Sequence, residues 1–286
     1  MENNFDLISS QTIEKLEREF RVKSKNFDSI NCPKSIGIEI EVKFKYYFPE
    51  LHNKYFSDFN AYKNLPYSEQ SRIRVELSEA EKSLQDRLFK TIECGIPHGM
   101  DKYWEFAFRP AYDLSLLCKQ VDILNQANLI PIGKHSLHIN IGDQRPTPKI
   151  FWILNAMELL FCTKERIESG FSKNFTYMSA TWAKKGDGGL LVKNYNDLEG
   201  SEFGVEFRTL QFDGTSSKLY EILKTFNWLM CNQSSDILFQ LKEKSLSLGL
   251  PNSNWGKPHT NPQVWKMYID NFDELSNFMK NKVVVI

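Results

Sequence analysis

Glu39, Glu41, Glu105, His138, Glu206 and Arg208 fall in four short segments: GIEIEV (37–42), YWEFAFRP (103–110), HSLHINIG (135–142) and VEFRTL (205–210). Their types suggest one kind of chemistry. Several carboxylates with one imidazole and no nearby thiol suit a hard divalent cation, Mg²⁺ or Mn²⁺, better than Zn²⁺. Arg109 and Asn140 lie in the same segments, and Lys184 and Lys185 open a glycine-rich run, KKGDGG. Taken singly, each motif is commonplace. Glu-x-Glu on an amphipathic strand is usually a solvated face, and Glu206-x-Arg208 can be a surface ion pair. The conjunction on four successive segments is far more specific.

Each segment alternates, and side chains alternate across a strand. Ile36, Ile38, Ile40 and Val42 oppose Glu39, Glu41 and Lys43. Trp104, Phe106 and Phe108 oppose Tyr103, Glu105, Ala107 and Arg109, with Pro110 expected to stop the strand. Leu137, Ile139 and Ile141 oppose Ser136, His138 and Asn140, while Val205, Phe207 and Thr209 oppose Glu206, Arg208 and Leu210. Strands of a parallel sheet, covered on both faces, read instead as continuous apolar runs. The alternation therefore predicts an α+β protein: an antiparallel sheet with helices packed on one face and acids on the other. Like charges facing each other across strands destabilise a sheet, and bound cations would compensate.

The intervening segments supply the helices. They are expected over about 10–22, with Ser9 or Ser10 as cap, over 78–91, from Asp113 to about 128, and from Ile150 to about 169. One long helix is expected from Ser216 or Ser217 to about Lys244, and a last one over 262–279. Residues 49–74 read as an irregular aromatic insertion, and 171–200 as a loop around the glycine-rich tip. No linker or repeat divides the chain, so the expectation is one catalytic domain over 1–286, its sheet within about 35–215.

Composition narrows the function classes. The 286 residues carry 36 Lys plus Arg against 36 Asp plus Glu, which favours neither nucleic acid nor an anionic membrane. The 5 cysteines are widely spaced, with no CxxC pair, which argues against a disulfide scaffold or a zinc ribbon. The first residues lack a basic and then apolar leader, and no stretch approaches the roughly 20 apolar residues of a membrane span. A cytoplasmic location is the expectation.

Gly37-x-Glu39-x-Glu41, Trp104-Glu105 followed by Pro110, His138-x-Asn140 and Glu206-x-Arg208 together resemble the glutamine-synthetase-fold carboxylate–amine ligases. The resemblance is to the smaller amidoligases in particular, and distantly to glutamate–cysteine ligases. It covers about 35–215 and implies a curved antiparallel sheet whose concave face holds ATP and two or three divalent cations. Carried over by position, Glu41 and Glu105 would hold one metal, and Glu39, His138 and Glu206 a second bridging the β- and γ-phosphates. Arg208, with Glu206, would serve the transferring phosphoryl group, and Arg109, Asn140, Lys184 and Lys185 would be weaker contacts to phosphate or substrate. The implied reaction joins a carboxylate to an amine, on a small molecule, peptide or protein, through an acyl phosphate. Asn140 replaces the second histidine of many relatives, and the small N-terminal domain of full-length glutamine synthetase has no counterpart. Two other readings share these residues: a guanidino-kinase-like phosphotransferase, and a catalytically silent binding protein.

Overall fold

A computed structural model describes residues 7–43, 53, 59–95, 103–142, 147–168, 186–187, 190–194, 203–231, 235–250 and 262–283. Its strands are β1 (Asn31–Lys43), β2 (Ile92–Gly95), β3 (Tyr103–Asp113), β4 (His135–Ile141), β5 (Gly186–Asp187), β6 (Leu190–Asn194), β7 (Phe203–Phe207) and β8 (Gln211–Phe212). They form one sheet of order β2-β3-β1-β4-β7-β6-β5, with β8 also on β4, and every pairing is antiparallel. The helices are α1 (Ser10–Phe20), α2 (Phe59–Lys63), α3 (Tyr67–Arg87), α4 (Ser115–Gln126), α5 (Pro148–Phe161), α6 (Ser216–Met230), α7 (Ser235–Ser247), α8 (Pro262–Asp270) and α9 (Phe272–Lys282). The protein is thus α+β, and the four motif-bearing strands are neighbours at the centre of the sheet.

The expected apolar face is the buried one. Ile36, Ile38, Ile40, Val42, Trp104, Phe106, Phe108, Leu137, Ile139, Ile141 and Phe207 are all buried and join the buried side chains of α1, α3, α4, α5 and α6 in one core. Full burial of one such side chain is worth roughly 1.5–3 kcal/mol, so the face fixes the register. A slip of one residue would send the acids into the core. Local signals place the helix starts. Ser9 and Thr12 bond each other at the start of α1, and Thr147 and Thr215 accept from Ile150 N and Lys218 N at the starts of α5 and α6. Asp113 Oδ1 accepts from Ser115 N at the head of α4 and from Ile30 N, tying helix to sheet. No helix among the described residues is long and apolar enough to cross a membrane.

Several expectations are corrected. Residues 59–74 are largely helical rather than irregular, and the helix expected over 78–91 begins earlier: α3 starts after Pro66, carries the Glu69–Arg72–Glu76 ion pairs on one side and buries Ile73, Leu77 and Leu84 on the other. Pro110 does not stop β3, because the pairing with β1 shifts register between Ile36 and Ile38, and a proline is tolerated in such a bulge. The glycine-rich region contains β5 and β6, which extend the sheet beyond β7. The long helix after Ser216 is two, α6 and α7, and the last is also two, α8 and α9. β7 ends at Phe207, and residues 208–210 form a break before β8. Leu210, expected on the polar face, is fully buried there and its carbonyl accepts from Leu137 N (3.0 Å).

Beneath that break lies an ionisable group in the core. Glu158, on α5, is 0 % exposed, and its Oε2 accepts from Tyr268 Oη (3.4 Å). Burial pushes its carboxyl up to about 7, against a smaller downward pull from the Thr209 and Tyr268 hydroxyls. An acid raised in the folded state holds its proton there while the unfolded chain has lost it. Its contribution is therefore complete below about pH 4.5 and is lost as pH rises through about 7. Glu158→Gln should flatten that part of the stability profile and leave the protein roughly 3 kcal/mol less sensitive to pH between 4.5 and 8. Urea titrations across this range check it; an unchanged slope in the variant would remove Glu158 as the source.

Candidate metal centre

The register sets the acids side by side. Glu41 faces Glu105 across β1 and β3, and Glu39 faces His138 across β1 and β4. Asn140 faces Glu206 across β4 and β7. Four strands therefore deliver five potential ligands to one patch of the polar face.

His138 is its hub. Its side chain is 4 % exposed, with Nδ1 3.2 Å from Glu39 Oε2 and 3.1 Å from Glu206 Oε1, and Nε2 3.8 Å from Glu41 Oε1. Burial disfavours the imidazolium, but the hydrogen bonds to Glu206 and Glu39 and the charge of Glu41 prevail and push its pKa up to about 9. Nδ1 donates to Glu39, while Nε2 meets Glu41 through charge alone, at 3.8 Å. Glu105 shows the opposite strain: burial, then the adjacent Glu39 carboxylate, raises its carboxyl to about 7. The cluster holds more negative charge than one imidazolium can balance.

The donor set fits a cation. One ligand atom from each of Glu39, Glu105 and His138 lies within 4.8 Å of the other two. Trans ligands on a single Mg²⁺ at about 2.1 Å stand about 4 Å apart, so small side-chain adjustments would close the set. Asn140 Nδ2 donates to Glu39 Oε1 (3.1 Å), while its Oδ1 is buried with no partner, an acceptor beside an acidic cluster. Gly37, opposite Asn140, leaves the neighbouring surface low: a Cβ there would lie 3.3 Å from the Phe108 carbonyl oxygen and 3.7 Å from Asn140 Cβ. Glycine at such a place permits close approach to the backbone.

The remaining candidates divide. Arg208 lies beyond the end of β7 but keeps its place, with Nε 3.6 Å from Glu206 Oε1. Arg109 falls in the β1/β3 register shift, and its Nε donates to the Lys90 carbonyl (2.6 Å). It stands four residues along β3 from Glu105, about 13 Å at the rise of a strand. Lys184 and Lys185 lie outside the described residues. His135 serves the turn instead, its Nε2 donating to the Pro131 carbonyl (2.7 Å). Sequence reading missed Arg166, in a helical turn over 164–168, whose Nη2 donates to Ser136 Oγ (3.1 Å) on the polar face of β4. No local motif marks it, because it reaches the sheet only through the break that follows α5.

No protein-family model matches the chain, and no curated protein matches it. Among solved structures, 3-hydroxy-3-methylglutaryl-coenzyme A reductase from Streptococcus pneumoniae aligns over 96 % of this chain and 81 % of its own, at 10 % identity and a TM-score of 0.15. The class II form of that reductase bound to NADPH gives 95 %, 81 %, 10 % and 0.14. Likenesses this low carry no argument about fold or activity.

Two melting experiments test the centre at pH 8, where Glu105 is largely ionised. Glu105→Gln removes one of the repelling charges, and the metal-free variant should melt about 2–4 °C above the parent. Millimolar MnCl₂ should raise the parent's Tm clearly and the variant's much less. A variant that melts lower without metal, or a parent indifferent to Mn²⁺, would count against a cation site.

Proposed function

We propose that the protein is an ATP-dependent carboxylate–amine ligase, built like the catalytic domain of glutamine synthetase and using Mg²⁺ or Mn²⁺. The observation that carries the proposal is the convergence of Glu39, Glu41, Glu105, His138 and Glu206, with Arg208 at the edge, on one polar face of four adjacent antiparallel strands. These are the residues, in the strand motifs, that the resemblance implies. The side chains fit hard cations and an anionic partner, whereas a plain solvated face has no need of so repulsive a cluster.

In this reading Glu41 and Glu105 would hold one ion, and Glu39, His138 and Glu206 would hold another. When bound, the ions neutralise charge on the triphosphate during transfer. Arg208, positioned by Glu206, meets the transferring γ-phosphoryl group. The substrate carboxylate oxygen forms a bond to the γ-phosphorus as the bond to the β-phosphate bridging oxygen breaks, giving an acyl phosphate and ADP. The amine then attacks the acyl carbon, phosphate leaves and the nitrogen loses a proton. The chain's residues mainly hold and neutralise, so no side-chain nucleophile is required. Asn140, beside Glu206, and the low surface at Gly37 adjoin the space such a nucleotide would fill. Lys184 and Lys185 are proposed as phosphate contacts, and Arg109 as a weaker one at the edge of the site.

The test is ADP release with Mg²⁺, ATP and hydroxylamine across a panel of carboxylates. The parent should form both ADP and a hydroxamate, and Glu41→Gln should lower both by at least about 100-fold while remaining folded. ADP without hydroxamate would point to phosphorylation of nitrogen, as in guanidino kinases. Tight nucleotide binding with neither product would make this a silent binding protein.

A further inference from the structure

Arg166 is attached to the site by two independent links. Thr163 Oγ1 accepts from Arg166 N (3.2 Å) and fixes the start of the turn. Cys162 Sγ donates to the Thr209 carbonyl (3.5 Å), which joins that turn to the 208–210 break carrying Arg208. From this base the Arg166 side chain reaches Ser136, whose hydroxyl accepts from Nη2 (3.1 Å). Ser136 directly faces Glu41, and Glu41 directly faces Glu105. A cross-strand row therefore runs Glu105, Glu41, Ser136 and ends in a guanidinium. Successive strands are about 4.8 Å apart, so Ser136 stands roughly two strand spacings from Glu105, and its small neutral side chain links the guanidinium to the row beside Glu41.

Arg208 approaches the cluster elsewhere, at Glu206, which belongs to the Asn140 row. Ser136 and Asn140 are four residues apart on β4, about 13 Å. Two arginines thus flank different ends of one acidic centre. Phosphoryl transfer to a carboxylate must bring two anions together, and each needs a positive neighbour. A guanidinium presents parallel N–H donors that match the two oxygens of a carboxylate.

We propose that Arg166, held by Ser136, binds the carboxylate of the acyl substrate at the Glu41 end of the site, leaving Arg208 to the phosphoryl group. This rests on the ligase reading. The acyl substrate would then enter from the side of β8 and the 164–168 turn.

Isothermal titration on the full chain, loaded with MnCl₂ and the β,γ-imido analogue of ATP, tests it. The probes are straight-chain mono- and dicarboxylates of two to six carbons, with L-aspartate and L-glutamate. At least one probe should bind the parent, and Arg166→Ala should weaken it by about tenfold or more, with Mn²⁺ and nucleotide affinities within about twofold. Arg166→Lys keeps the charge but loses the fork and should fall between; Ser136→Ala should weaken the same probe without touching the turn. The two conservative variants also decide the matter should Arg166→Ala not fold. A purely structural arginine would lower stability while leaving carboxylate affinity unchanged, and that result overturns the assignment. So does a fall in nucleotide affinity in place of carboxylate affinity, or a parent that binds Mn²⁺ and nucleotide but no probe. A parent that binds neither Mn²⁺ nor nucleotide removes the ligase reading itself, and this assignment with it.

Discussion

Glu39, Glu41 and Glu206 each place an oxygen within 4 Å of the His138 ring, and Glu105 crowds Glu39 from the neighbouring strand. One imidazolium cannot neutralise four carboxylates, so the patch repels itself. The excess shows in the raised pKa values of both His138 and Glu105. Such an arrangement survives only if something else holds the strands in place. Here that is the opposite face, where Ile36, Ile38, Ile40, Trp104, Phe106, Leu137, Ile139 and Phe207 are buried at or near completeness. Every acid is directed outward by an apolar neighbour directed inward.

The surroundings serve the same constraint. Asp113 ties Ile30, at the entry to β1, to the head of α4. Asp122 on α4 takes Lys25 N and Ser216 Oγ, joining the approach to β1 with the start of α6. These links anchor the chain on either side of the central strands without entering the acidic patch. At the 208–210 break the alternation is relaxed. This lets Leu210 turn into the core while Arg208 stays beside Glu206, which a regular strand could not do for both residues together with Phe207.

Much of this was legible in the sequence because both signals had period two. Strict alternation in β1, β3 and β4 gave the face of Glu39, Glu41, Glu105 and His138 directly, and the buried set matches it residue by residue. The neighbour relations were less accessible, since β3 lies on one side of β1 and β4 on the other, a matter of topology. Pro110 misled because its meaning depends on the partner strand: a bulge absorbs it, and a single strand's sequence does not show a bulge. α3 was half missed because its polarity hid a three-residue buried stripe, and Arg166 was missed altogether because its role depends on tertiary contact.

The pattern of charge also bears on why the patch exists. A structural sheet face could carry threonine or glutamine at 39, 41 and 105 with less repulsion and the same register, because the register is set from the other side. Retaining acids there sacrifices stability for no gain in folding, as functional sites often do. The arginines sharpen the point. Arg208 pairs with Glu206 at one end, whereas Arg166 stands at another, with Ser136 between it and Glu41. Under the ligase proposal, acid in the middle with guanidinium at both ends would let one surface hold cations at its centre and an anion on each side.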